Sequence, residues 1–282
     1  MGLGYRRKLD SVALTVVFGA YATLYVLIPL SGLLGTSVLT PAADGFVGLP
    51  LSLHAWQSFV VPTHLSAFVE SFLLAFLVTG IGLGFAISVG YVYFNWRSLR
   101  PLLLSLMGAA LLTNPLVLTM GWLSVLSAGT VPQELIVRPL LLEGIHTLLY
   151  TDYAVILGLL SVYVPITTFP LLLAIHNLDP ALPLSAALLG AGKDRIYLTI
   201  VLPVARPEIV FGALATLVYA VTDIVAPDIL GGNRRLLLGR LISLSALEGR
   251  NVPAAAVLVI ILLVVLIAIL LFALQRFSTS DG

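Results

Sequence analysis

Asp223 is the one acid set well inside an apolar run of this chain, and an ionisable group in such a setting is a functional candidate in its own right. Tyr219, Thr222, Asp223 and Ala226 follow i, i+3, i+4, i+7 spacing, so a helix would place all four on one face. A carboxylate on that face, turned to a wet path, attracts a cationic solute, and more strongly where the dielectric is low. Turned inward it would cap a helix or pair with Arg234 or Arg235 just beyond it. Asn114, Leu118, Gly121 and Trp122 also share a helical face, where Trp122 has two uses: stacking on a cation or anchoring at a membrane interface. Tyr163, Pro165 and Pro170 mark a kinked helix, serving either as a gate or for packing. Gly80, Gly82 and Gly84 fit close helix packing.

Other chemistries lack their residues. Without cysteine there is no disulfide, thiolate metal site or cysteine nucleophile. His54, His64, His146 and His176 are scattered without metal-ligand spacing. No hydroxyl nucleophile stands in a recognisable arrangement with a histidine base, so no covalent catalysis and no cofactor of the chain's own are expected. The fragment "GAGKD" resembles a phosphate-binding loop only in composition. Ala187 stands where the first glycine belongs, Asp194 replaces the magnesium-binding hydroxyl, and no strand precedes it. A net charge of +1 gives no basic field for nucleic acid.

The elements that position these residues are membrane helices. The chain is 60% hydrophobic and 10% charged, with a mean hydropathy of +1.11, whereas soluble proteins carry about 25% charge. Continuous apolar runs rather than period-two alternation exclude a barrel. Six segments are long enough to cross a bilayer: 12–35, 67–94, 102–127, 151–176, 207–230 and 254–275. The first is too long for a signal peptide and is read as a retained helix. With both termini cytoplasmic, Arg6, Arg7, Lys8, Arg97, Arg100, Lys193, Arg195, Arg206 and Arg276 fall inside, nine of the 14 Lys and Arg residues. Arg138, Arg234, Arg235, Arg240 and Arg250 fall outside, the last four in a stretch read as a short amphipathic or re-entrant element. An all-α integral membrane protein of one domain, 1–282, is expected.

The internal loop 177–206 is unusually polar. Asp179 and Pro180 can start a helix, Gly190 and Gly192 can end it, and a second short helix can run from Lys193 towards Leu202. Two short amphipathic helices at a cytoplasmic surface suit either a docking protein or lipid headgroups.

Gly190, nine residues, Ile200, one residue, then Leu202-Pro203 resembles the EAA-x3-G-x9-I-x-LP loop of permease subunits of binding-protein-dependent (type I) ABC importers. Leu184-Ser185-Ala186 occupies the E-A-A position, so the glutamate is absent, and Lys193 and Arg195 are expected to take over its charge pairing. "LLYTDYAVILGLLSVYVPITTFPLLLAI" (148–175), "DIVAPDILGGNRRLLLGRLI" (223–242) and "NVPAAAVLVIILLVVL" (251–266) are similar to the spermidine/putrescine-type branch, whose relatives carry iron(III), phosphonates, opines or thiamine.

The resemblance implies six helices in a prokaryotic inner membrane and a coupling loop between the fourth and fifth. It implies as partners an ATPase pair holding Mg-ATP, a second permease, identical or paralogous, an extracytoplasmic binding protein and membrane lipid. On this reading Asp223, Tyr219, Thr222, Asn114, Trp122 and Tyr163 line the solute path. A self-contained secondary transporter would need paired broken helices in related halves, and no such symmetry shows in the sequence.

Overall fold

A computed structural model describes residues 19–21, 23–42, 47–130, 148–232 and 236–278. The chain forms two compact units, one of residues up to His64 with Leu241–Ala268, the other of Leu65–Arg240 with residues from Ile269. It is mostly helical. Among the described residues four helices are long and apolar enough to cross a membrane, or up to six if two bent pairs each count as one span.

In the first unit, α1 (Ile28–Thr36) closes the candidate span Gly19–Thr36. An antiparallel hairpin follows, β1 (Leu39–Pro41) against β2 (Val47–Leu51), with Thr40 Oγ1 donating to the Gly48 carbonyl at 3.0 Å. The all-α expectation is corrected here by two short strands. α2 (His54–Ser58) completes this stretch.

The second unit begins within α3 (Pro62–Asn95), the longest helix among the described residues. α4 (Arg100–Leu112) and α5 (Pro115–Leu126) follow, then α6 (Asp152–His176). The loop carries α7 (Ala181–Leu188) and α8 (Lys193–Val204), the latter passing through a π-turn at Tyr197–Val201. α9 (Arg206–Thr222) and α10 (Val225–Gly231) come next; α11 (Leu238–Ser243) starts in this unit and continues into the first, to which α12 (Val252–Ser278) belongs as far as Ala268. The expected spans 67–94, 151–176 and 254–275 lie within α3, α6 and α12 to within a residue. Residues 12–18 of the first expected span lie outside the described residues.

Two expected spans are broken, and proline explains both. α4 and α5 meet at 99°, not as one helix over 102–127. Pro115 forces the preceding Asn114 out of the helical region, to φ −62° and ψ 131°. The span 207–230 divides at Asp223, which has φ −65° and ψ 131°. A helix through this point would need an N–H at residue 227 for the Asp223 carbonyl; Pro227 has none, and its ring would strike that carbonyl.

α6 is the hub of the second unit, with α9 laid along it and α4, α5 and α10 also touching it. It is apolar all round, as a helix among other helices must be. The approach of α9 is set by Gly212, where a Cβ would stand 2.8 Å from the Thr167 carbonyl oxygen. Gly82 of α3 closes on the other side of the same residue, its Cβ position lying 3.1 Å from Thr167 Oγ1. Gly80 and Gly84 make no such approach among the described residues. Small residues that let backbones meet are what membrane helices use where apolar burial gives no net drive.

Candidate functional sites

The break at Asp223 is also where its side chain is used. Tyr163 of α6 donates its hydroxyl to one carboxylate oxygen of Asp223. The other oxygen accepts the Ala226 amide at 3.0 Å, which caps the first turn of α10. Asp223 is thus held at the junction of α6, α9 and α10, 9% exposed. The expected single face of Tyr219, Thr222, Asp223 and Ala226 does not exist, because the helix stops between Thr222 and Val225. Arg234 and Arg235, the proposed ion partners, lie outside the described residues.

Tyr219 joins the group by a different route. Its ring stacks on that of Tyr163, with centroids 6.3 Å apart and planes 10° apart, and remains 55% exposed. Thr222 is exposed, but its hydroxyl donates back to the carbonyls of Val218 and Tyr219. Below Tyr163, Thr167 and Thr216 share a hydrogen bond of 2.6 Å, and both approach the Tyr163 carbonyl. α6 stays helical through Pro165 and Pro170.

Asn114 and Trp122 stand apart from this trio, sharing no hydrogen bond or ring contact with it among the described residues. Asn114 Oδ1 accepts the Leu116 amide at 2.8 Å and caps α5. Trp122 packs on the cluster of Leu126, Ala154 and Leu230. Sequence reasoning missed a cavity of about 240 Å³ whose lining includes Glu70, Leu73, Asp152, Pro227 and Leu237. Glu70 was visible as the fourth residue of the expected span 67–94, an acid inside an apolar segment.

The loop folds as its punctuation requires. Asp179 Oδ1 accepts the Ala181 amide at 2.9 Å and starts α7. At the other end Gly190 adopts φ +87°, its amide meets the Ala187 carbonyl, and the Ala191 amide meets the Ala186 carbonyl. That pair of bonds is the Schellman stop, which calls for a left-handed residue at the position of Gly190. The second helix runs past its expected end near Leu202, through Pro203 to Val204, and turns 68° into α9.

The motif positions divide into two sets. Ala186, Ile200 and Leu202 pack against the buried cluster that holds Ile196, Tyr197, Val201 and Ala205. Leu184, Ser185, Lys193, Arg195 and Pro203 are exposed. Leu184, Leu188 and Leu189 are 60%, 81% and 89% exposed, an unusual display of leucine beside two cationic side chains. Burial raises the Tyr197 hydroxyl to about 12. Of the arginines read as external, Arg240 forms an ion pair of 2.7 Å with Asp228 of α10.

Residues 77–280 match the family described as binding-protein-dependent transport system inner membrane component. The chain is 28% identical over 255 residues to the spermidine/putrescine transport system permease protein PotB of Salmonella typhimurium (strain SL1344), covering 88% of this chain and 87% of that one. Its fold is similar to a chain of the crystal structure of a bacterial ABC transporter involved in the import of the acidic polysaccharide alginate, with a TM-score of 0.72, 15% identity and 96% of each chain covered. The crystal structure of a bacterial alginate ABC transporter in complex with alginate pentasaccharide-bound periplasmic protein matches with a TM-score of 0.71 and 16% identity, over 95% of this chain and 93% of that one.

Proposed function

The chain belongs to the family of binding-protein-dependent transport system inner membrane components, as a permease subunit of an ABC importer, and on that premise we propose that it carries a polyamine such as spermidine or putrescine. The whole-length similarity to a spermidine/putrescine permease supports the solute class. The likeness to alginate importers supports the fold alone and says nothing of the solute. The reading includes six spans, with α4 and α5 together making the third and α9 and α10 together the fifth, and both termini in the cytoplasm.

The observation that carries the transport reading is the loop. The glycine-stopped α7 and the buried-face α8 hold Leu184, Leu188, Leu189, Lys193 and Arg195 outward on a short rigid projection, at the spacing by which the family docks its ATPase. We assign this projection to the cleft of an ATPase subunit, with leucines filling the pocket and the two cations pairing with carboxylates in place of the missing motif glutamate. The remaining partners are a second permease and an extracytoplasmic binding protein. Mg-ATP belongs to the ATPase pair, and the chain itself performs no covalent chemistry.

Along the solute path, Tyr219 is the exposed surface and Asp223 the charge behind it. An ammonium group over the Tyr219 ring would gain the ring's quadrupole attraction and the field of Asp223 together. Thr222 offers a rim hydroxyl. Asn114, at the α4–α5 bend, and Trp122 of α5 are assigned to the same path.

The test is reconstitution of this permease with its second permease, ATPase pair and binding protein in liposomes, scored with labelled spermidine. ATP-dependent uptake supports the reading. ATP-dependent uptake of iron(III), a phosphonate, an opine or thiamine in place of spermidine keeps the importer and replaces the solute. Uptake by the isolated chain on an ion gradient would contradict the importer itself.

A further inference from the structure

The loop is tied to α3 by a joint that lies outside the motif spacing. Tyr197 of α8 is 1% exposed and donates its hydroxyl to the Ile87 carbonyl of α3 at 2.7 Å. Gly90 is the notch that admits it. A Cβ there would stand 2.7 Å from the Tyr197 hydroxyl and 3.0 Å from Leu171 Cδ2, so any other residue would push α8 away. Nearly one turn earlier in α8, Asp194 accepts the hydroxyl of Tyr91, 103 residues away in sequence. The Tyr91 and Tyr197 rings meet edge to face, with centroids 5.3 Å apart, and Phe94 lies 6.0 Å from Tyr197 on the same helix as Tyr91. Of the run Lys193-Asp194-Arg195, the acid is therefore bound to α3, which leaves the two cations for a partner.

Covalent continuity links the loop to α6 and α9, but not to α3. Only a non-covalent joint can carry its displacement there, and a close-packed contact with two directional hydrogen bonds transmits displacement rather than absorbing it. We propose that Tyr91, Asp194 and Tyr197, seated by Gly90, are positioning residues that make α3 a second output of the loop, so that closure of the ATPase moves α3 and α9 together. The proposal rests on the loop being the ATPase contact.

The chain has no cysteine, so paired labels can be introduced without background. Ser88 and Leu198 both line the open groove beside the joint and suit such labels. In the assembled importer, spin labels at S88C and L198C should keep one separation with and without ATP, because the two helices move as one body. Gly90→Ala and Tyr197→Phe should broaden that distance distribution. They should also lower uptake per ATP hydrolysed by about fivefold or more while binding-protein-stimulated hydrolysis and complex yield hold. Asp194→Leu and Tyr91→Phe should each lower the same ratio, and their double variant should lower it no further. A label separation that changes with ATP in the unsubstituted joint would overturn the proposal, as would variants that transport with unchanged stoichiometry. An unsubstituted importer that hydrolyses ATP without the loop touching the ATPase would instead refute the underlying reading.

Discussion

Tyr163 and Asp223 are joined by a hydrogen bond across the point where α9 gives way to α10, so the carboxylate that ends one helix also fixes the start of the next to α6. A charge so placed has two duties, and they separate by substitution.

Asp223→Asn keeps its one oxygen for the Ala226 amide and turns its NH2 to the Tyr163 hydroxyl, which then accepts instead of donating, and it removes the charge. The fold should hold, with an unchanged melting temperature in detergent, while binding-protein-stimulated uptake of a dication falls about tenfold, the effect of losing roughly 1.4 kcal/mol of attraction. Unchanged uptake would remove Asp223 from the solute path.

Asp223→Ala removes the cap as well. Loss of a cap costs about 1 kcal/mol, and the buried Tyr163 hydroxyl left without its acceptor costs about 1–3 kcal/mol more. The melting temperature should fall below that of Asp223→Asn; equal values would show that the capping bond carries no stability.

Gly190→Ala places a Cβ on a residue at φ +87°, where left-handed backbone costs about 1–2 kcal/mol. Asn tolerates that conformation better than Ala. ATPase association, measured by co-purification yield, should weaken with Ala and recover in part with Asn; equal yields would mean that the stop of α7 does not position the loop.

Lys193→Glu with Arg195→Glu reverses the exposed charges of α8. Affinity for the ATPase pair should fall about tenfold or more at low salt, and the difference from wild type should narrow as salt screens it. Association and transport both left intact would end the pairing role of these two residues.

Gly212→Ala drives a methyl against the Thr167 backbone, a rigid neighbour. Overpacking of this kind costs about 1–3 kcal/mol, and the shortened detergent half-life should be the readout. A half-life equal to wild type would show that α9 can move off α6 freely.

The loop was legible in the sequence because its signals are local. Asp179 and Gly190 each act within a turn, and Gly190 sits where a left-handed stop is needed, whereas Gly192, expected to help end α7, instead stands before the first residue of α8. The two broken spans were not read, although Pro115 and Pro227 were in view, because counting apolar length does not register a missing amide. The Tyr163–Asp223 and Tyr197–Ile87 contacts join residues 60 and 110 apart, and no short-range pattern announces them. The hairpin at 39–51 was passed over because its strands are short and interrupted by Pro and Gly.

The central proposal is that an ATPase drives solute through this chain by way of residues 177–206. Reconstituted liposomes carrying the full importer, with ATP inside or outside and labelled spermidine on the binding protein, measure it most directly. Uptake that requires ATP on the loop side, and that is lost with the Lys193/Arg195 reversal while binding-protein affinity is kept, is the predicted result. Uptake that proceeds without ATP, or survives when the loop can no longer hold the ATPase, would contradict it.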